Sequence, residues 1–397
     1  MKSVLPLLAI AASLSAAPYT HDPKVAEEFR QRDGLPNVFA KIQAKQTVRV
    51  AYLGGSITAA AGWRVKTFAW FQKQYPQAKF EEINAAISGT GSDYAACRLQ
   101  GDVLDHKPDL VFVEFRVNGG GGYERPSIEG VVRQIWQANP QTDICFVYTI
   151  GTWMVESLKE CKQVGFGEIM EETANRYGIP TIDLGVEVAK QVKDGKLTYK
   201  ADEPEPGKKL FAKDGVHPGD DGHQIYCDVI SRSFLKMQDT AGTMNHELGD
   251  PLYGNPWVVG ALLPITEVKK SAGWVAVDAK DPVYSDDAWR TKCMMRGAMK
   301  CAKTGETLTV RWNGTTVGIS DIPQGTGMVF TASIDGKEPI VVERNQREAR
   351  RKYSRFWYLP AQAPGEHTVT FTVKELPEGV AFYAGQFLIV GKPLPVE

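Results

Sequence analysis

Apolar positions recur along this chain in two rhythms. From residue 48 to about residue 237, short apolar runs alternate with stretches of helical period. Strands are predicted over residues 48–53, 80–83, 110–115, 144–150 and 180–184, and helices over 63–75, 94–104, 128–138, 161–177 and 222–237. Strands separated by helical stretches of this length imply a parallel sheet covered on both faces. The strongly apolar run Leu110 to Phe115 suits a strand buried on both sides. Upstream, residues 21–46 are polar with a helical look. After about residue 245 the helical period stops. Short strands are predicted over 307–312, 328–334, 340–343, 367–373 and 382–390, separated by turns such as Asp335-Gly336 and Pro364-Gly365. That pattern predicts a β-sandwich. Proline and glycine cluster over residues 250–264, so the chain is read as an α/β domain over 18–250 and an all-β domain over 265–397.

Composition adds little to this picture and removes some alternatives. A chain of 397 residues is longer than one core usually fills, in line with two domains. Formal net charge is −1, without the basic footprint of a nucleic-acid or membrane-surface partner. The first 17 residues resemble an export leader: Lys2, an apolar run from Val4, then Ser15, Ala16 and Ala17 as small residues for cleavage. The run is too short to span a bilayer, which takes about 20 residues. The expected location is therefore secreted or periplasmic, with no membrane insertion. Export permits disulfides among the six cysteines. Their spacing fits no zinc pattern. Cys145 reads as a buried thiol in a strand, and Cys293 with Cys301 would close a small loop where geometry allows.

Candidate chemistry gathers where the α/β strands end. Gly54-Gly55-Ser56 follows the first strand, so Ser56 is expected at the carboxyl edge of the sheet, where open α/β sheets bind ligands. A serine hydroxyl is a poor nucleophile and needs a base. Asp214-Gly215-Val216-His217 supplies an imidazole and, across a glycine turn, a carboxylate to hold its tautomer. Acyl transfer also needs donors for a developing oxyanion. Two glycine-rich turns after strands offer them: one contains Gly89, the other Asn118. Each motif alone has an ordinary reading as a helix cap or a turn. Four of them at strand ends or in a late loop are harder to dismiss.

These blocks resemble the SGNH hydrolase superfamily, also called GDSL esterases and lipases. The resemblance runs over about residues 48–237. It implies a flavodoxin-like three-layer α/β/α sandwich, with Ser56 as nucleophile, His217 as base and Asp214 as its orienting acid. It implies an oxyanion hole made of the Ser56 N–H, the Gly89 N–H and the Asn118 amide, with no metal or other cofactor. The chain departs from the usual pattern at Gly55 and Gly119, where the family often has aspartate. The C-terminal region looks like a jelly-roll accessory domain of carbohydrate-active enzymes.

The expected activity is that of a secreted serine esterase removing short acyl groups, expected to be acetyl, from a polysaccharide or oligosaccharide. Its partner would be an acylated carbohydrate; oligomeric state is open. Trp63, Arg64 and Arg116 lie near the site in sequence and are candidates for substrate contact. Trp312, Tyr353, Trp357 and Tyr358 are candidates for sugar stacking, against the commoner reading of core aromatics. The accessory domain is expected mainly as a tether with a modest interface. Two other readings stay open: a lipase or arylesterase for small esters, and a non-catalytic carbohydrate-binding protein on an esterase fold.

Overall fold

The computed structural model describes residues 19–254, 257–284, 288–345 and 353–396. The expected export leader lies outside them. The N-terminal two-thirds runs β1 (Phe29–Arg30), α1 (Pro36–Gln43), β2 (Thr47–Gly54), α2 (Ser56–Ala59), α3 (Trp63–Gln74), β3 (Lys79–Asn84), α4 (Ser92–Asp102), β4 (Leu110–Glu114), α5 (Glu124–Ala138), β5 (Asp143–Tyr148), α6 (Val155–Lys159), α7 (Phe166–Tyr177), β6 (Thr181–Asp183), α8 (Leu184–Lys193), β7 (Leu197–Lys200), β8 (Lys209–Ala212) and α9 (Asp220–Lys236). The main sheet has the order β1-β6-β5-β4-β2-β3. All pairs are parallel except β1, which adds to β6 antiparallel. Strands β4 and β5 are buried along their whole length. One apolar cluster forms between the sheet and α1, α3, α8 and α9. A second lies on the opposite face against α4, α5 and α7. This is the three-layer α/β/α arrangement, and the strand order reverses direction at β2 and β4, where such sheets bind ligands.

The predicted helix over 161–177 is shorter, beginning as α7 at Phe166. Cys161 has φ +56° and Gly165 φ +54°, so the chain leaves helical geometry between α6 and α7. Helix α8 was not foreseen in the pattern; Asp183 caps it by accepting the Gly185 N–H at 2.9 Å.

Beyond Lys236 the chain crosses the α/β domain before it enters a second sheet. The Trp257 N–H bonds to the Pro126 carbonyl, and His246 stacks on Trp136 at 4.6 Å. Then follow β9 (Gly260–Pro264), β10 (Lys269–Lys270), β11 (Val275–Ala276), α10 (Ala288–Met294), β12 (Met299–Cys301), β13 (Thr307–Ile322), β14 (Met328–Ile334), β15 (Ile340–Arg344), β16 (Arg355–Tyr358), β17 (Gly365–Glu375) and β18 (Phe382–Leu394). The strands pair antiparallel throughout. Strand β13 outruns its prediction because it serves several partners: residues 307–314 pair with β17 and residues 318–321 with β16, while β18 pairs along residues 311–322 across a bulge at Gly314/Thr316. Alternate residues Leu308, Val310 and Trp312 point into a separate core with Phe330, Phe371 and Phe387.

The all-β domain is not joined by a thin contact. Ile322, Tyr383, Leu388 and Val390 belong to the same buried cluster as Tyr94, Leu99 and Val131 of the α/β domain. Helix α4 lies directly on β9: a Cβ on Gly260 would stand 2.2 Å from the Ala96 carbonyl oxygen. The contact is therefore larger than a tether requires. The proposed Cys293–Cys301 bridge is also absent; Cys301 is a thiol that accepts the Lys303 N–H.

Candidate active site

Strand β2 ends at Gly54, and Ser56 opens the one-turn helix α2 at the carboxyl edge of the sheet. On the same edge, the loop between β8 and α9 carries Asp214 and His217. His217 Nε2 lies 2.8 Å from Ser56 Oγ, and His217 Nδ1 lies 2.6 Å from Asp214 Oδ2. The other carboxylate oxygen of Asp214 accepts the N–H groups of Val216 and His217, each at 2.8 Å. Burial works to raise this carboxyl, but the His217 ring and the two N–H donors outweigh it and hold it at about 2. Gly215 makes the turn: its φ is +81°, and a Cβ there would stand 2.1 Å from Thr152 Oγ1. Its carbonyl accepts from the Thr152 N–H and hydroxyl at 2.9 and 2.7 Å, which fixes the loop to the end of β5.

The two glycine-rich turns close on Ser56 from the other side. The Ile87 N–H bonds to the Gly54 carbonyl, laying the Gly89 loop alongside the end of β2. The Ser92 N–H bonds to the Gly119 carbonyl at 3.0 Å, tying the Gly89 loop to the Asn118 loop. Asn118 is so near the Ser56 turn that a Cβ on Gly55 would stand 2.0 Å from its Oδ1. The structure thus brings Ser56, Gly89, Asn118, Asp214 and His217 to one edge.

Beneath the Ser56 turn is a group the sequence reading passed over. Glu114 ends β4 fully buried and accepts from the Thr58 hydroxyl at 2.8 Å and the Thr149 hydroxyl at 2.6 Å. Burial drives its carboxyl upward, while those hydroxyls, Arg116 and the Gly55 N–H oppose the rise. Trp63, Arg64 and Arg116 are corrected: none is available to substrate. Trp63 is wholly buried among Tyr52 and Phe112. Arg64 donates to the Thr58 carbonyl and pairs with Glu82. Arg116 grips Asp183 with two hydrogen bonds of 2.5 and 2.8 Å inside the fold. His223 is likewise internal. Its Nδ1 accepts the Trp63 N–H at 3.1 Å, and burial, with Lys66 nearby, lowers it to about 4.

The all-β domain reaches the same edge. Arg290 of α10 donates to the Ser88 carbonyl and, at 2.9 and 2.7 Å, to the Ser354 carbonyl; it lies 4.3 Å over the Tyr353 ring. A Cβ on Gly89, whose φ is +65°, would meet Arg290 Nη1 at 2.6 Å and the Tyr353 hydroxyl at 3.0 Å. Trp312, by contrast, is a core residue with no exposed surface. Trp357 packs on Phe371 and donates to Asp321, facing its own domain. Phe356 and Tyr358, on the other face of β16, pack on Tyr94 and Tyr123 of the α/β domain. Among the described residues no group of three His, Cys, Asp or Glu is arranged to hold a metal ion, and no helix is long and apolar enough to cross a membrane.

A parallel sheet of this order, with a Ser-His-Asp hydrogen-bond chain and two glycine turns at its carboxyl edge, defines an SGNH-type carboxylic ester hydrolase. Residues 52–225 match the model of the GDSL-like Lipase/Acylhydrolase family. The fold extends to the C-terminal domain. A crystal structure of a two-domain esterase (CEX) active on acetylated mannans, co-crystallized with mannopentaose, superposes with a TM-score of 0.74 at 21% identity, over 94% of this chain and 98% of that one. A second structure of that two-domain esterase gives 0.73 at 21% identity, over 94% and 99%. No match is found among curated proteins.

Proposed function

We propose that the protein is a serine esterase that removes short acyl groups, acetyl foremost, from a polysaccharide or oligosaccharide. The observation that carries this reading is the chain Ser56 Oγ–His217 Nε2–His217 Nδ1–Asp214 Oδ2, with spacings of 2.8 and 2.6 Å. In the reaction, Ser56 Oγ attacks the acyl carbonyl carbon while His217 Nε2 takes its proton. Asp214 holds the Nδ1–H and stabilises the imidazolium. The carbonyl oxygen becomes an oxyanion received by the Ser56 N–H, the Gly89 N–H and the Asn118 amide. Collapse expels the sugar oxygen, which takes the proton from His217. Water, activated by His217, then cleaves the acyl-Ser56 ester and releases the carboxylate. No step requires a metal.

A carbohydrate substrate is supported by the likeness in fold to a two-domain esterase described as active on acetylated mannans. We assign catalysis to the domain of residues 18–250 and an accessory role to residues 265–397. Residues 1–17 would direct export, so that enzyme and polymer meet outside the cytoplasm. Mass spectrometry of protein recovered outside the cell should find the chain without these residues. The central test is acetate release from acetylated mannan, xylan and pectin oligosaccharides, with fluorophosphonate labelling of wild type and Ser56→Ala. Labelling and acetate release should both vanish in the variant. A wild-type chain that neither labels nor hydrolyses any ester would leave a non-catalytic binding protein.

A further inference from the structure

Between the oxyanion turns and the all-β domain lies a cavity of about 470 Å³. Gly89, Gly91, Asp93 and Asn118 form one wall, and β16 contributes Phe356 and Tyr358 to the other. Gly89 and Asn118 belong to both the cavity and the proposed oxyanion hole, so an occupant of one adjoins an ester in the other.

Asp93 is the unusual member of this wall. It is 2% exposed, and its Oδ1 has no hydrogen-bond partner among the described residues. Such a group is costly to bury and calls for a cause. Its place in the first turn of α4 suits the helix dipole and explains why an acid is tolerated there. It does not explain why one oxygen is left without a donor. The glycines around it point to the reason. A Cβ on Gly121 would stand 2.4 Å from Asp93 Oδ2, and one on Gly91 would stand 2.9 Å from Oδ1. Side chains at those positions would crowd the carboxyl; with glycine there, Asp93 keeps its place on the cavity wall. Burial, with Glu124 adding repulsion, pushes the carboxyl up to about 7, opposed by backbone N–H donors of its own turn. Near neutrality it can therefore accept a hydrogen bond or donate one.

A carboxyl is a poor neighbour for an acyl chain, and the cavity is larger than an acetyl group needs. A pyranose has hydroxyls for a carboxyl and an apolar C–H face for aromatic rings. We propose that this cavity is the subsite for the sugar ring next to the scissile ester, and that Asp93 hydrogen-bonds one of that sugar's hydroxyls. This rests on the reading of the protein as a carbohydrate esterase.

The test uses the full chain. kcat/KM is measured for an aryl acetate and for an acetylated oligosaccharide that the wild type hydrolyses, in wild type, Asp93→Leu and Asp93→Asn. The inhibition constant of the deacetylated oligosaccharide against the aryl acetate is measured in parallel. In Asp93→Leu, the sugar-ester kcat/KM relative to aryl acetate should fall about ten- to one-hundred-fold, mostly through KM, as expected for a lost hydrogen bond to a charged or strongly polar group. The deacetylated sugar should inhibit more weakly by a similar factor. Asp93→Asn, which keeps an acceptor, should recover part of both. Should the Asp93 variants fail to fold, Gly121→Ala sets a methyl against the carboxyl from the loop side and should lower the same ratio. An unchanged ratio and inhibition constant in folded variants overturns the subsite while leaving the esterase intact. A proportional loss on both substrates assigns Asp93 to shaping the Asn118 loop and also overturns it. A wild type active on aryl acetate but on no acetylated glycan refutes the carbohydrate reading itself, and the subsite with it.

Discussion

The Gly55→Ala variant tests the oxyanion geometry without removing a catalytic atom. Gly55 has φ −93°, a value open to any residue, so alanine brings no backbone strain. Its new Cβ would stand 2.0 Å from Asn118 Oδ1 and 2.7 Å from Asn118 Cγ, whereas real Cβ contacts stay beyond 3.0 Å. The amide must retreat by about 1 Å, because a contact that short cannot persist in a packed structure. Asn118 cannot slide as a whole, since its backbone N–H is held by the Phe115 carbonyl at 2.9 Å. The displacement falls on the side chain that would donate to the oxyanion. A misplacement of about 1 Å costs on the order of 10²-fold in rate. Losing the donor outright costs about 10²–10³-fold. Gly55→Ala should therefore lower kcat on a short aryl ester by about 10²-fold, or roughly 2.7 kcal/mol of transition-state stabilisation. Asn118→Ala should lower it by about 10²–10³-fold, and the double variant should add little, because both substitutions act on one donor. Circular dichroism and melting establish that each variant is folded. A folded Gly55→Ala with kcat within about three-fold of wild type, or losses that multiply in the double variant, would refute an oxyanion role for Asn118.

Glu114→Ala leaves the Thr58 and Thr149 hydroxyls without their buried acceptor; urea unfolding should show a loss of about 3 kcal/mol, with lowered kcat as the Ser56 turn relaxes. Asp214 sits at about 2 in the folded chain, below its usual value of 3.8, so its stabilising effect is present above about pH 4 and is lost as pH falls toward 2. The difference in melting temperature between wild type and Asp214→Asn should therefore shrink on acidification, and stay small throughout because the carboxylate is half exposed. A chain ending at residue 254 would expose the face of α4 that packs on β9 and β18; it should melt earlier or aggregate, and lose activity on aryl acetate as well as on polymer. Retained aryl-acetate activity in that truncation would show that the all-β domain is only a tether.

The parts legible in the sequence were those governed by local rules. Residues 110–113 announce a doubly buried strand by composition alone, and a serine after a glycine pair at a strand end has few places to sit. The Asp214–His217 loop could be read because acid and imidazole lie three residues apart. What escaped depends on distance along the chain or on orientation. Trp63, Arg64 and Arg116 stand beside site residues in sequence, yet helix and loop geometry turn them inward, and proximity in sequence does not fix direction. Glu114 gave one signal, a carboxylate closing an apolar run, which a buried strand tolerates only with partners. Asp93 looked like any acid at the start of a helix. Arg290 had no signal, and Tyr353 was read only as a stacking candidate: they approach Gly89 from about 200 and 260 residues away along the chain.

That long-range contribution changes how the two domains divide the work. Gly89 sits in the loop after β3 and faces Arg290 and Tyr353 of the all-β domain, so its surroundings come from both domains. The Ser88 carbonyl, which precedes the Gly89 N–H across one peptide bond, accepts from Arg290. Holding that carbonyl fixes the peptide plane, and the N–H of the same plane is the proposed oxyanion donor. On the proposed roles of Gly89 and of the cavity, the all-β domain would act on the chemistry through one peptide group as well as on the substrate through the cavity wall of β16. Changes in the C-terminal domain at Arg290 would be expected in kcat, whereas changes at Phe356 or Tyr358 would be expected in KM for sugar esters. The two effects separate because the first acts on an oxyanion that exists only in the transition state, and the second on a ring already bound in the ground state.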